Sequence, residues 1–369
     1  MNDMNEIEMQ KMFFHPVCNK DEIERIFNVA NATDYLLKLR AETIVDHMRL
    51  FRVYRNKALA RPDGWSLEQS FDIGHFQNFL NRVSSHIRNK CHPVTFGNMF
   101  SNDPNGTIFA SSFGPIITIS ESLSFFLKFA HLALLDFEST LPMHVRFNAL
   151  RIAIRVMLKT EAMDFLMDPR GIVPEDVGEA IHAPIPLQME FIAGHEFAHY
   201  VLDHISSHAV ADKPIFHAIT DRDKEYKPVP VYFNSQQQEL DADAQAILLV
   251  ENDPQHRVEL LDAALLWFGC LDLHETVEDV MYPQSPWKPC SHPTARQRFE
   301  NLLSHIPTPD GYDLSRWKIF LKTTDTLKPS LIEDVSANMD AYEMYGSAYL
   351  DEPNTEWRGP ALIDRKDYY

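Results

Sequence analysis

Glycine is scarce in this chain, with 12 in 369 residues. None falls in a G-x-G-x-x-G or G-x-x-x-x-G-K array, so the usual dinucleotide and phosphate cradles are missing. A G-x-S-x-G elbow, the mark of many serine hydrolases, is missing too. Cysteine is as sparse: Cys18, Cys91, Cys270 and Cys290 lie far apart with no C-x-x-C pair, which argues against a disulfide framework and a thiolate zinc knuckle. Long apolar runs are lacking. The most apolar stretch, 123–137, is broken by Lys128, His131 and Asp136 and is too short to span a bilayer. Basic charge is in deficit, with 34 Lys and Arg against 53 Asp and Glu, a net charge of -19. Such a field repels phosphate backbones and anionic lipid, so neither nucleic acid nor membrane is an expected partner. The opening residues MNDMNEIEMQ have no basic region followed by an apolar core. The expectation is a cytoplasmic protein in reducing surroundings.

What is present fits a globular protein with a sizeable core: 45% hydrophobic and 24% charged residues, over a length suited to two domains or one large one. Apolar residues at three- and four-residue spacing predict helix over 21–59, 67–89, 121–137, 143–167, 187–203, 235–250, 257–280 and 293–306. One stretch reads as strand: over 107–120, TIFASS and PIITIS flank Phe113-Gly114-Pro115 and predict a small hairpin or short sheet. The last 60 residues read as short helices alternating with irregular acidic segments. The expected class is α+β, mostly helical.

Chemistry enters at Gly194-His195-Glu196-Phe197-Ala198-His199-Tyr200, an H-E-x-x-H array inside the run that begins at Leu187. A helix places His195 and His199 one turn apart on one face, where both imidazoles reach a single ion at ~2.0 Å from zinc. Glu196, beside them, is placed to take a proton from water at the metal. A chain this rich in histidine meets the five-residue pattern by chance roughly one time in twenty, so context has to decide.

That context comes 40 residues on, in Gln238-Glu239-Leu240-Asp241-Ala242-Asp243-Ala244. Glu239 and Asp243 share a helical face, so Glu239 is the expected third ligand and Asp243 the acceptor of a hydrogen bond from a ligating imidazole. Two His and one Glu leave a position open for water, a catalytic rather than a closed structural arrangement. Small residues, Ala193, Gly194 and Ala198 on one helix and Ala242, Ala244 and Ala246 on the other, allow the two to approach closely. The alternative for Glu239 and Asp243 alone is a solvated acidic face.

An H-E-x-x-H helix followed by E-x-x-x-D on a second helix resembles the gluzincin metallopeptidases, most closely the M48-like group together with the phage-exclusion Lit-type intracellular peptidases. Two further stretches are similar: NGTIFASSFGPIITISESL, 105–123, to the strand pair ahead of the catalytic helix, and Ser291-His292-Pro293-Thr294-Ala295-Arg296 to the carboxy-terminal Ser/Thr-His-Pro motif with its downstream Arg. The resemblance covers roughly 100–305 and implies a zincin-like metallopeptidase domain there. Residues 1–99 are then an N-terminal helical region and 306–369 an acidic C-terminal extension. It also implies that one hairpin strand lies along the cleft and pairs with an extended peptide.

The implied activity is a zinc-dependent endopeptidase with one Zn2+ per chain and a protein or peptide as substrate. His195, His199 and Glu239 hold the ion, and Glu196 is the general base. His292 is expected to stabilise the oxyanion or occupy the open position, and Arg296 to bind substrate backbone or an internal carboxylate. A capping loop with a structural Arg is the other reading of that motif. His204 and His208 read as a solvated helix terminus, and Cys290 as a lone thiol. The segment 206–238 is either a loop gating the cleft or a surface excursion. The function alternative is a catalytically silent, zinc-stabilised binding or regulatory protein, against which the presence of Glu196 argues, because three ligands suffice to hold zinc.

Overall fold

Short polar caps decide where the first helices begin. α1 spans Glu6–Phe14, and α2, Lys20–Phe27, opens on a capping box between Asn19 and Glu22. Asn31 caps α3, Ala32–Asp46, and the His47 ring accepts from Leu50 N–H at the start of α4, Met48–Ala60. The stretches expected as 21–59 and 67–89 are therefore each divided; the second gives α5, Gly74–Arg82, and α6, Ser85–Cys91. Phe14, Ile23, Leu37, Ile44, Leu50, Tyr54 and Phe71 pack into a core of their own. The computed structural model describes residues 6–101, 104–135, 141–204, 210–213, 229–232, 235–251, 253–283 and 293–350.

The sheet is β1 (Thr95–Met99), β2 (Gly106–Ser111), β3 (Gly114–Ser120), β4 (Val210–Lys213) and β5 (Val229–Tyr232), in the order β1-β3-β2-β5-β4. β2 and β3 are the expected hairpin, closed where Ser111 faces Gly114, whose φ of 120° suits a residue without Cβ. β1 was not expected, because Gly97 and Asn98 are poor strand formers. It holds by pairing parallel to β3 and by the guanidinium of Arg40 on α3, which donates Nε–H to the Asn98 carbonyl at 2.7 Å. A side chain at Gly97 would collide with that guanidinium.

The remaining helices are α7 (Ser122–Leu134), α8 (Met143–Met157), α9 (Glu175–His182), α10 (Ile185–Val201), α11 (Gln236–Leu248), α12 (Pro254–Met281), α13 (Ala295–His305), α14 (Ser315–Ala337) and α15 (Met339–Glu343). α10 lies at the centre: every residue from Gln188 to His199 is buried, with α5, α11, α12 and β2 packed around it. α14 replaces the short irregular elements expected near the carboxy terminus. Its Trp317, Thr324 and Leu331 recur every seven residues and are buried along a seam with α12, where Gly269 leaves room for the Phe320 ring. One large core runs from Phe76 to Leu350 and crosses both 99/100 and 305/306. No described helix is long and apolar enough to cross a membrane.

Helix was expected to continue to 167 but stops at Met157, and Lys159 turns the chain at φ 67°. The residues that follow build a buried cage of three guanidiniums and three carboxylates. Arg170 meets Glu161 and Asp164 at 2.8 Å each and Asp168 at 3.0 Å; Arg155 meets Glu161, and Arg49 from α4 meets Asp164, both at 2.8 Å. The chain returns at its other end to close it, with Ala348 N–H on Glu161 and Tyr349 O–H on Asp168. Charges so buried persist only when paired and hydrogen-bonded, which each of these is.

Candidate metal centre

The spacing that puts His195 and His199 on one face of α10 brings their Nε2 atoms to 2.9 Å of each other. Ser235 caps α11 with a capping box, which starts that helix in the phase that turns Glu239 inward. Its carboxylate oxygens lie 3.5 Å from His195 Nε2 and 3.4 Å from His199 Nε2. Among the described residues these three form a buried group, ligand atoms all within 4.8 Å of one another, able to hold a metal ion. Two donors bonded at 2.0–2.1 Å to one tetrahedral zinc would stand about 3.3 Å apart, so the spacing suits a shared ion.

Each imidazole is held from behind. His195 Nδ1 lies 2.9 Å from Asp243 Oδ1, one turn beyond Glu239 on α11. Asp243, fully buried, also takes Arg298 in a two-pronged contact, Nε at 2.7 Å and Nη2 at 2.6 Å. Burial alone would raise the Asp243 pKa, but Arg298 and His195 together outweigh it and hold the carboxyl below the usual range. The carboxylate is thus ionised to accept from His195 Nδ1–H. Burial would lower the His195 pKa, but Asp243 and Glu239 outweigh it and raise it to about 10, so with no ion bound the ring keeps both protons and an ion would have to displace the one on Nε2. His199 is pushed down to about 4 by burial and by the neighbouring His195, so its ring is neutral and able to ligate. Its Nδ1 lies 2.9 Å from Nδ1 of His204.

Glu196 stands outside the triad on the same helix, 5% exposed. Burial raises its carboxyl to about 7, even though His195, Arg298 and the Ile108 backbone N–H favour the charged form. β2 therefore passes directly over this group. At Phe109 the outer edge of β2 is paired with Val231 of β5, which occupies at that point the edge expected for a peptide.

Several expectations change. Arg296 does not reach the cluster: it pairs with Asp325 of α14 at 2.9 Å and with Glu300 at 3.4 Å. Arg298 reaches it instead. Two residues apart on a helix means opposite faces, and Arg298 shares the buried side of α13 with Ala295, Phe299 and Leu302. The inward periodicity of α13 was the signal that separates the two. Gly194 makes room for the Phe79 ring of α5 rather than for α11. His204 is buried, not a solvated terminus. His292, Ser291, Cys290, His208 and most of 206–234 lie outside the described residues.

No protein-family model, curated protein or solved structure matches this chain.

Proposed function

We propose that this chain is a zinc-dependent endopeptidase of the gluzincin kind, with His195, His199 and Glu239 as ligands and Glu196 as general base. The observation that carries the reading is the separation of roles among neighbouring buried groups. Three donors converge, and a fourth group, Glu196, stands beside them with its pKa near neutrality rather than joining them. Zinc at the triad would supply a Lewis acid for a peptide carbonyl and lower the pKa of water beside it; two imidazoles and one carboxylate are a donor set suited to it.

Glu196, ionised beside a bound dication, would take a proton from that water and return it to the leaving amine. With an ion bound, Asp243, itself held by Arg298, would keep the remaining His195 proton on Nδ1 and so leave Nε2 to the ion. Gly106 and the Ile108 N–H hold the Glu196 carboxyl in place. The proposed substrate is a protein or peptide, bound otherwise than by pairing with the β2 edge at Phe109, which β5 already takes.

The test pairs metal analysis with cleavage. Glu239→Ala should lose most of its zinc affinity, whereas Glu196→Gln should fold, load zinc and cleave at least ~10²-fold more slowly. A zinc-loaded Glu196→Gln protein as active as wild type would remove the peptidase reading and leave a zinc-stabilised binding protein.

A further inference from the structure

α10 ends in a way its sequence does not announce. Asp203 takes the left-handed conformation, φ 60°, usual for glycine at this point. His204 N–H bonds to the His199 carbonyl at 3.0 Å and Asp203 N–H to that of Tyr200 at 3.2 Å, the paired bonds of a Schellman ending. That ending folds the residue after Asp203 back over the helix, and the residue it meets is His199. The two rings lie 5.1 Å apart between centroids, joined Nδ1 to Nδ1 at 2.9 Å, with His204 itself buried.

Two nitrogens facing each other at that distance share one proton, so one ring donates and the other accepts. If His199 is to offer the Nε2 lone pair to an ion, its own proton must sit on Nδ1. His204 then accepts at Nδ1 and carries its proton on Nε2. We propose that His204 is a positioning residue for the metal centre, fixing the tautomer and ring orientation of His199 as Asp243 does for His195. The inference rests on the metal-site reading given above. The two acceptors differ in one respect: an imidazole that accepts at Nδ1 carries no negative charge, so in this role His204 orients a ligand without adding to the charge of Glu239 and Asp243. Without it, the His199 ring is free to turn or to take the Nε2–H tautomer, which cannot ligate.

The test uses the full chain and zinc alone, with affinity read by chelator competition for wild type, His204→Ala and His204→Asn. The Asn side-chain oxygen replaces the accepting Nδ1. His204→Ala should weaken zinc binding about 10 to 100-fold, as loss of an outer hydrogen-bond partner does, and His204→Asn should recover most of that loss. Nitrogen NMR of zinc-loaded wild type should show His204 protonated on Nε2 and not on Nδ1, a readout that stands even if the Ala variant fails to fold. Wild-type affinity in His204→Ala, equal weakness in both variants, or a His204 Nδ1 proton in the zinc-loaded protein would each overturn the role. A wild-type chain that takes up no zinc would instead overturn the metal-site reading, and the inference with it.

Discussion

Gly106 and Glu196 interlock: a methyl group on the glycine would lie 2.7 Å from a Glu196 carboxylate oxygen and 3.0 Å from its Cγ. Strand and proposed base are thus fitted to each other, and the glycine is needed for space rather than for turning. Gly106→Ala should displace the Glu196 carboxyl while leaving the triad intact. Zinc affinity should stay at the wild-type level and peptide cleavage should fall by at least ~10-fold, since a misplaced proton-transfer group loses its share of the rate. Equal losses of zinc and of turnover would show that β2 supports the whole centre instead.

Arg298 and Arg296 provide a contrast within one helix. Arg298→Met leaves Asp243 buried without its guanidinium and should cost about 3 kcal/mol or more of unfolding free energy. Arg296→Met breaks a half-exposed contact with Asp325 and should cost within about 1 kcal/mol. Urea unfolding of the two metal-free variants checks the order.

The end of α10 is open to a glycine test. Asp203→Gly removes a Cβ from a left-handed residue and should be neutral or stabilising by up to about 1 kcal/mol, with zinc affinity kept. A branched side chain tolerates that conformation poorly. Asp203→Val should cost about 1–2 kcal/mol and weaken zinc binding, as melting temperature and chelator competition would report.

A pH effect should come from the other end of the same helix. His256 Nε2 lies 2.6 Å from Glu190 on α10 and its Nδ1 3.2 Å from Glu259, with Arg82 3.8 Å from Glu190. Burial lowers the His256 pKa, but the contacts with Glu190 and Glu259 together outweigh burial and Arg82, and the net shift is upward. The folded state therefore binds this proton more tightly than the unfolded chain. The stabilisation is complete below about pH 6.5 and is lost as pH rises through the raised folded value. Relative to His256→Asn, metal-free wild type should lose urea stability as pH rises above about 6.5. A parallel pH profile for the two proteins would show that the pair contributes nothing.

Sequence pattern read well wherever local spacing settles the geometry. His195, His199, Glu239 and Asp243 each lie on the helical face their i, i+4 spacing assigns, and the β2–β3 hairpin falls where β-branched residues cluster. What escaped depends on distant partners. β1 looks like loop until Arg40, 58 residues earlier, is seen against Asn98. α14 reads as broken because Pro329 interrupts it, yet packing on α12 holds it continuous. His204 was hidden because an aspartate, not a glycine, marks the turn that carries it inward. Arg298 was overshadowed by Arg296 because a motif gives a neighbourhood, whereas helical phase selects the residue.

The buried cage of Arg49, Arg155, Arg170, Glu161, Asp164 and Asp168 also sets an order of assembly. Arg49 bonds to Asp164 over a separation of 115 residues and to Ser347 over 298. Contacts this remote form late, because a long stretch of chain must be closed before they contribute. During synthesis α4 emerges early, but its arginine has no complete set of partners until residues 346–350 have left the ribosome. The amino-terminal helices have an apolar core of their own, yet one of their buried arginines is matched only by the far end of the chain, and a protein cut short before Ser347 would lack the Ser347, Ala348 and Tyr349 contacts that close the cage.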